Sequence, residues 1–249
     1  MHAVAINGSP QANGSTKTLL EHVLEPLERA GWTTEILQLG GSGLKSCNGC
    51  TRCFRSGGGL CAMETDGFNS IYAKMLPANA IILGSPAGFN ADLVPEVNNF
   101  INRSAYLSTA NKCALAGKVG AAVIDVPRGS FIEAHDKAYR FFLRSKMVAP
   151  GVAGWNTDAR GLHKHKRVSS AATLEEMRKL GEMVNWLARA VEPCLHSLPE
   201  EMPGRKVVTE RRDIFSEPRA PQPTTNAIAK KKFNLPMLLP DSYSEPPGR

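Results

Sequence analysis

The sequence predicts an α/β fold: a doubly wound, five-stranded parallel sheet in three layers, with an extended C-terminal tail. Short apolar runs alternate with segments of helical periodicity along residues 1–192. The runs are apolar throughout rather than alternating, which is typical of strands that are buried on both faces. The chain has 249 residues, of which 42% are hydrophobic, so it can bury one sizeable core and still carry an extension.

The first two strands frame a helix. Ala3–Ile6 is predicted as the first strand, and it ends at an Asn-Gly-Ser-Pro turn. Pro26 is expected to kink the following helix or to end it early, because proline lacks the backbone N–H. Thr33–Leu39 is predicted as the second strand, and the alternation is then interrupted by residues 40–66, which are rich in glycine and cysteine. The apolar face of the helix carries Leu19, Leu20, Val23, Leu24 and Leu27.

The third strand is predicted at Ala80–Leu83, between two helices. Asp66 is expected to cap the helix before it. The strand ends at a Gly-Ser-Pro turn. The apolar faces of the two helices carry Phe68, Ile71, Tyr72, Met75 and Leu76, and then Leu93, Val97, Phe100 and Ile101.

The remaining strands are predicted at Val119–Val126 and Met147–Ala153. A helix through Phe142 lies between them, and a second helix follows the fifth strand and runs to Val191. Each helix is expected to begin at a capping box, in which a Ser or Thr is followed three residues later by Glu. The two boxes are Ser130 with Glu133 and Thr173 with Glu176.

The composition changes after residue 192, which predicts a domain at 1–192 and a tail at 193–249. The tail holds ten of the seventeen prolines and few periodic apolar residues, so it is expected to be extended and to form no second core. Its apolar segments, Ile214–Phe215 and Phe233–Leu239, suit docking on a protein partner or on the domain itself.

Composition and charge exclude several classes of protein. No run approaches the ~20 apolar residues of a membrane helix, and the N-terminus lacks the basic leader of a signal peptide. We therefore expect a cytoplasmic protein without membrane partners, whose thiols stay reduced. The formal charge of +7 does not indicate nucleic-acid binding, because aromatic residues are only 6% and no basic–aromatic stripe occurs. The basic run at residues 163–167 is expected to be a solvated loop, and the alternative is a site that attracts an anionic nucleotide.

The loop at residues 8–16 follows the first strand and opens the first helix. It is neither a Walker A loop nor a dinucleotide fingerprint, but it is rich in hydroxyl-bearing and small residues. Free N–H groups at a helix N-terminus and neighbouring hydroxyls favour a phosphate. Because the donors are neutral, the loop suits flavin mononucleotide (FMN). The alternative is an ordinary Ser/Asn-rich turn that only caps the helix.

Two further loops follow strands at the same edge of the sheet. Residues 85–90 come after the third strand and residues 126–130 after the fourth. Ligands of such sheets bind beyond the carboxyl ends of the strands. Pro, Gly and Phe residues in these loops could therefore wall a planar ring, and Arg128 could lie near its electron-rich side. The alternative is simple turn chemistry.

Four of the six cysteines form a C-x2-C-x2-C-x7-C motif. Three closely spaced thiolates suit an iron–sulfur cluster, and the glycines at 57–59 allow a fourth to approach. An empty loop with a redox-active pair and a structural zinc site are the alternatives. Cys113 and Cys194 are isolated and are expected to be packing residues. The predicted ligands are Cys47, Cys50, Cys53 and Cys61.

The combined motifs resemble those of the NADPH-dependent FMN reductase superfamily. Residues 8–16, Gly-Ser-Pro-x-x-Asn-Gly-Ser-Thr, are similar to its G-S-P-R-x-x-G-N-T phosphate loop. Residues 84–86 and 100–103, Gly-Ser-Pro and Phe-Ile-Asn-Arg, resemble its G-S-P-V-Y-F and F-I-D-R blocks. The cysteine motif resembles that of the iron–sulfur flavoproteins, one branch of the superfamily. The sequence departs from the pattern at Gln11, at Ala87-Gly88 and at Asp125-Val126-Pro127.

The resemblance implies a flavodoxin-like sheet, FMN, often a [4Fe–4S] cluster, and homodimers or homotetramers. It implies an oxidoreductase that passes electrons between FMN and the cluster, with NAD(P)H or a ferredoxin-like donor. The alternatives are a cluster-free NAD(P)H-dependent FMN or quinone reductase, and a non-catalytic electron carrier or assembly subunit that docks through its tail. No side chain is assigned as catalytic. From the three loops and the resemblance together, the candidate FMN-binding residues are Ser9, Gln11, Asn13, Ser15, Thr16, Pro86, Ala87, Gly88, Phe89, Asn90, Pro127, Arg128 and Gly129.

Overall fold

Parallel strands form the centre of the fold, in the order Thr33–Gln38 (β2), His2–Asn7 (β1), Ala80–Pro86 (β3), Val119–Asp125 (β4) and Thr157–Asp158 (β5). The computed structural model describes residues 1–56, 59–88, 92–126, 132–151, 157–158, 162–163, 166–167 and 171–197. The four long strands are β1 (His2–Asn7), β2 (Thr33–Gln38), β3 (Ala80–Pro86) and β4 (Val119–Asp125). All of β4 and nearly all of β1 and β3 are buried, which confirms that the continuous apolar runs are central strands.

Six helices accompany the sheet in the described part of the chain. They are α1 (Ser15–Arg29), α2 (Arg52–Ser56), α3 (Phe68–Met75), α4 (Pro95–Ala110), α5 (Ile132–Arg144) and α6 (Ala171–Val191), and a 3-10 helix follows at Glu192–Ser197. The apolar faces of α1 and α6 pack on one side of the sheet, and those of α3, α4 and α5 on the other. This is the predicted three-layer α/β architecture.

The helices on one face approach each other closely at Gly181. A Cβ atom there would lie 2.2 Å from the backbone oxygen of Val23 and 3.1 Å from Cγ of Pro26. Pro26 does not end α1, which continues to Arg29, so the expectation of an early end was wrong. Pro26 is buried where α1 meets α6, because its ring packs on the glycine of the facing helix.

The fifth strand predicted at Met147–Ala153 is shown only as a single parallel bridge, from Val148 to Val119 at the start of β4. A two-residue strand, β5 (Thr157–Asp158), pairs with the carboxyl end of β4. Residues 152–156 lie outside the described part of the chain.

The predicted helix starts also differ from the structure. Helix α6 begins at Ala171, so Thr173 lies inside the helix and is not its N-cap. Helix α5 begins at Ile132, and Ser130 of the other capping box lies outside the described residues. Helix α3 has Gly67 at its N-cap, while the preceding Asp66 accepts a hydrogen bond of 3.4 Å from the Phe68 N–H.

Residues 163–167 were predicted to form a solvated basic loop. The structure describes a short antiparallel pair of β6 (Leu162–His163) and β7 (Lys166–Arg167) there, and residues 164–165 lie outside the described part of the chain. The described residues belong to a compact unit within Met1–Ile214. The boundary at 192/193 and the character of the tail remain predictions. No helix among the described residues is long and apolar enough to cross a membrane.

Candidate functional site

The carboxyl ends of three neighbouring strands define the candidate site. The last residue of β1, Asn7, is in register with Gly84 of β3, and the last residue of β3, Pro86, is in register with Asp125 of β4. The loops that follow β1 and β3 therefore start side by side at one edge of the sheet. Ligands of open parallel sheets bind at this edge.

Side-chain amides at the ends of β1 and β2, the buried Asn7 and the exposed Gln38, hold the first loop, residues 8–14. The Asn7 side chain accepts a hydrogen bond of 3.1 Å from the Ser9 N–H and donates one of 2.8 Å to Oε1 of Gln38. Gln38 in turn donates to the carbonyl oxygens of Ser9 and Gly40, at 2.7 and 2.8 Å. Sequence reasoning missed both residues, although a buried Asn at a strand end is a signal of loop support.

Glycine is required where this loop meets its neighbours. A Cβ atom on Gly8 would lie 2.2 Å from Cγ2 of Val97, and one on Gly40 would lie 2.2 Å from the carbonyl carbon of Ser9. Real Cβ atoms do not approach other atoms so closely. The backbone of the loop is therefore fixed between α4 on one side and the chain after β2 on the other.

The hydroxyl groups predicted to bind phosphate already have a partner in the protein. Ser15 and Thr16, in the first turn of α1, donate hydrogen bonds of 2.5 and 3.0 Å to the same oxygen, Oδ2 of Asp125. Asp125 ends β4 and is only 3% exposed. The adjacent Gly14 is the N-cap of α1 and provides no side-chain hydrogen bond. The Lys17 N–H donates to the Gly14 carbonyl oxygen at 3.1 Å, and the N–H groups of Ser15 and Thr16 are left to other acceptors.

The other predicted residues of the first loop make local contacts. Ser9 is buried and its hydroxyl oxygen accepts a hydrogen bond of 3.2 Å from the Gln11 N–H. The side-chain oxygen of Asn13 accepts one of 3.0 Å from Nζ of Lys17. Gln11 and Asn13 are exposed beside the start of α1.

The second loop is joined to the first through Asp125. The N–H group of Ala87 donates a hydrogen bond of 2.8 Å to the Asp125 carbonyl oxygen. Ala87 pairs with Leu93 in an antiparallel bridge, and Gly88 donates to the carbonyl of Asp92. The predicted ring-contacting residues Pro86, Ala87 and Gly88 are half-buried at this edge. The other five, Phe89, Asn90, Pro127, Arg128 and Gly129, lie outside the described residues.

The four clustered cysteines occupy the insertion between β2 and α3, and all are free thiols. Cys47 is exposed, whereas Cys50, Cys53 and Cys61 are half-buried. Burial raises the pKa of the Cys53 thiol, and electrostatic interactions with Cys50 and Cys61 raise it further. Among the described residues, no three Cys, His, Asp or Glu side chains converge as metal ligands.

A buried arginine of α4 holds this insertion together. Arg103 forms an ion pair with Asp66 and donates to the carbonyl oxygens of Lys45 and Met63, at 3.2 and 3.1 Å. Its Nη2 group also lies 3.3 Å from Sγ of Cys61. Burial alone would raise the pKa of Asp66, but the hydrogen bonds from Arg103 and from the Lys45 N–H hold it below its ordinary value.

One buried donor near the cysteines, the Nε group of Arg103, lacks a partner within the described part of the chain. Burial raises the pKa of Tyr72 well above its ordinary value, a hydrogen bond with Ser108 lowers it, and the Cys53 thiol adds to the rise. Buried donors are normally paired, so unpaired ones are an indication of a missing acceptor.

The family model described as NADPH-dependent FMN reductase matches residues 1–159. This range contains β1 to β4 and all three loops at the carboxyl edge. The chain belongs to the NADPH-dependent FMN reductase family. It is accordingly a flavin-dependent oxidoreductase, as the sequence motifs predicted.

Two relatives place this FMN reductase family member in the iron–sulfur flavoprotein branch. An iron–sulfur flavoprotein of Methanocaldococcus jannaschii is 31% identical over 61% of this chain and 76% of its own length. An iron–sulfur flavoprotein of Archaeoglobus fulgidus is 36% identical, but the match covers 42% of this chain and only 49% of the relative.

The structure of RosB, solved with bound 8-demethyl-8-formylriboflavin-5'-phosphate, shows the same fold. The two structures superpose with a TM-score of 0.59 at 14% identity, over 98% of this chain and 100% of RosB. At this identity the likeness extends to the architecture alone. The predicted flavodoxin-like fold is confirmed.

Proposed function

We propose that this protein is an FMN-dependent electron-transfer oxidoreductase that takes electrons from NAD(P)H. The family match over residues 1–159 carries the proposal, because it spans the whole candidate site. The proposed FMN-binding residues are those of the three loops at the carboxyl edge: Ser9, Gln11, Asn13, Ser15, Thr16, Pro86, Ala87, Gly88, Phe89, Asn90, Pro127, Arg128 and Gly129.

The described residues are chemically suited to FMN. The first turn of α1 has no side-chain cap at Gly14, so its N–H groups can donate to a phosphate. Pro86 and Ala87 present half-buried, uncharged surface to a ring system. The hydrogen bonds of Asn7 and Gln38 support the first loop without any ligand.

The protein's part in the reaction is to position its cofactor and to exclude water. Bound flavin would accept electrons from nicotinamide and pass them to an acceptor. The half-buried backbone at residues 86–88 would orient the ring, and the loop after β1 would anchor its phosphate end. No side chain is assigned as a general acid or base, because redox chemistry at a flavin does not require one.

The finer part of the proposal is that the cysteine insertion holds a [4Fe–4S] cluster as the exit for single electrons. The proposed ligands are Cys47, Cys50, Cys53 and Cys61. Both relatives named above are iron–sulfur flavoproteins. Four thiols in one insertion are a suitable donor set.

Two observations in the structure support a sulfur-rich centre at the insertion. The Nη2 group of Arg103 donates a hydrogen bond of 3.3 Å to Sγ of Cys61. The Nε group of the same side chain lacks a partner among the described residues and could bond to thiolate or sulfide sulfur.

Anaerobic purification with iron, sulfide and flavin analysis tests the proposal. We expect one FMN and about four iron and four sulfide per chain after reconstitution. Replacing all four proposed ligands by Ser should remove iron and sulfide while leaving the flavin bound. The matched control is Cys194→Ser, since Cys194 is exposed in the 3-10 helix and away from the motif. Iron binding that survives the fourfold replacement would contradict the cluster assignment.

A second candidate is a cluster-free NAD(P)H-dependent FMN or quinone reductase. It is favoured by one observation, that the described thiols do not converge on a common centre. In that case, steady-state reduction of FMN or a quinone by NAD(P)H would be undiminished in the fourfold Cys→Ser variant. The fourfold Cys→Ser variant therefore distinguishes the two candidate functions.

We also propose a cytoplasmic location and a homo-oligomeric state. All six cysteines are free, which suits a reducing compartment. Light scattering of the purified protein tests the oligomeric state, which was predicted to be a dimer or tetramer.

A further inference from the structure

Cys61, the last cysteine of the motif, is held by both its backbone and its side chain. Asn69 of α3 accepts a hydrogen bond of 2.9 Å from the Cys61 N–H and donates one of 2.8 Å to the Cys61 carbonyl oxygen. The Nη2 group of Arg103, on α4, donates one of 3.3 Å to the Cys61 Sγ atom. These contacts fix the position of the Cys61 sulfur.

The guanidinium of Arg103 is almost fully used by acceptors around it. A guanidinium carries five N–H donors. The Nη1 group serves the Asp66 carboxylate and the Lys45 carbonyl oxygen. The Nη2 group serves the Cys61 sulfur and the Met63 carbonyl oxygen. The Nε–H group is the remaining donor, and it is buried without a partner among the described residues. Such a donor indicates a missing acceptor beside Cys61.

Asp66 offsets the charge of Arg103, because the two side chains form a buried ion pair. The pair is nevertheless directional, since the carboxylate is bound at Nη1 and the sulfur at Nη2. The Arg103 side chain is only 1% exposed, so water screens its effect on the sulfur very little. A hydrogen bond from a cation stabilises negative charge on the atom that accepts it.

We propose that Arg103 is a positioning residue that raises the reduction potential of the proposed cluster through its hydrogen bond to Cys61. This role rests on the proposed [4Fe–4S] cluster and its ligand Cys61. Reduction adds one electron and no proton, so the negative charge that the sulfur atoms share increases. Arg103 stabilises this charge, because hydrogen bonds to sulfur favour the reduced form. The guanidinium itself is neither oxidised nor reduced, and it keeps its proton.

Two replacements should shift the potential in opposite directions. In Arg103→Leu the cation and its hydrogen bond are lost, and the equilibrium constant for one-electron reduction should fall about tenfold, or about 59 mV. In Asp66→Asn the potential should rise, because the charge that offsets Arg103 is removed. A redox titration with dithionite as the electron donor, followed by electron paramagnetic resonance, measures both shifts.

The matched control is Arg55→Leu. Arg55 is exposed and donates to the Cys50 carbonyl oxygen at 2.9 Å, not to a sulfur atom. This replacement removes the same charge from the insertion, and the equilibrium constant should stay within about twofold.

A second variant keeps the test informative where Arg103→Leu folds poorly. The double variant Arg103→Leu/Asp66→Asn leaves neither charge of the buried pair behind. Its potential should still lie below the wild-type value, because the hydrogen bond to sulfur is absent. Iron and sulfide analysis and thermal unfolding check that each variant is folded and loaded.

The outcomes separate this role from the proposed function. An unchanged or higher potential in loaded Arg103→Leu or in the double variant overturns the role of Arg103. Shifts in the same direction for Arg103→Leu and Asp66→Asn also overturn it, as does loss of iron from both folded Arg103 variants. In these cases the wild-type cluster itself stands. A wild-type protein without iron and sulfide after reconstitution overturns the cluster and the role of Arg103 together.

Discussion

The Nη2 group of Arg103 lies 3.3 Å from the Sγ atom of Cys61 and donates a hydrogen bond to it. This contact joins the middle of α4 to the last cysteine of the insertion. The same guanidinium lies 4.1 Å from the centre of the Phe68 ring and pairs with Asp66. One buried cation therefore ties the cysteine insertion to the hydrophobic core.

Replacing Arg103 by Leu should destabilise the protein by about 3 to 5 kcal/mol, because it leaves the buried Asp66 carboxylate without its partner. Urea unfolding measures the change. The control is Arg140→Leu, which breaks an exposed ion pair with Asp136 that is worth about 0 to 1 kcal/mol. Equal effects of the two replacements would contradict the structural role of Arg103.

Stability should fall in acid because the pKa of Asp66 is lowered in the folded protein. A group with a lowered folded pKa contributes its full stability above its unfolded pKa of about 3.9. That contribution is lost as the pH falls from there through the folded pKa. Unfolding free energies measured from pH 6 to pH 2 should show this loss, and Asp66→Asn should show a smaller one. Parallel curves for the two proteins would refute the assignment.

Replacing Gly181 by Ala should destabilise the packing of α1 on α6 by about 1 to 3 kcal/mol, since the new methyl group would overlap the backbone oxygen of Val23. Differential scanning calorimetry measures the effect. Gly151→Ala is the matched control, because no atom lies within 4 Å of its added Cβ. If the Gly181→Ala protein were as stable as the wild type, α1 and α6 would be able to move apart at little energetic cost.

Replacing Asn7 by Ala should lower stability by about 1 to 3 kcal/mol, because the Ser9 N–H and the Gln38 amide lose a buried partner. Chemical denaturation measures the loss. Asn13→Ala is the control on the same loop, and its exposed side chain should contribute less than about 0.5 kcal/mol to stability. If both replacements have the same small effect, the Asn7–Gln38 network does not support the loop.

At two places in the helices the structure differs from what the local sequence signals predict. Thr173 with Glu176 has the form of a capping box, yet α6 begins at Ala171. Pro26 should disturb a helix locally, but it lies within α1 where that helix packs on α6. Most helical stability in proteins comes from packing, so such local signals need not decide where a helix begins or ends.

Neither key contact of the site could be predicted from the sequence alone. Asp125 is separated from Ser15 by 110 positions, and Arg103 from Cys61 by 42. In the sequence, Asp125 stood out only as a departure from the family pattern, and Arg103 only as part of a matching block. In the structure, the buried Asp125 side chain accepts the hydroxyl hydrogen bonds of Ser15 and Thr16. The buried Arg103 side chain supports the cysteine insertion through Cys61.

The sequence by itself determined the parallel α/β fold, the edge of the sheet that carries the site, and the family. Continuous apolar runs and turn residues are local properties, so the order of residues is enough to predict them. Only the tertiary structure decided which polar groups face each other. The site's charge balance depends on that pairing, because a buried carboxylate or guanidinium acts on whatever the fold brings beside it, however distant in the chain.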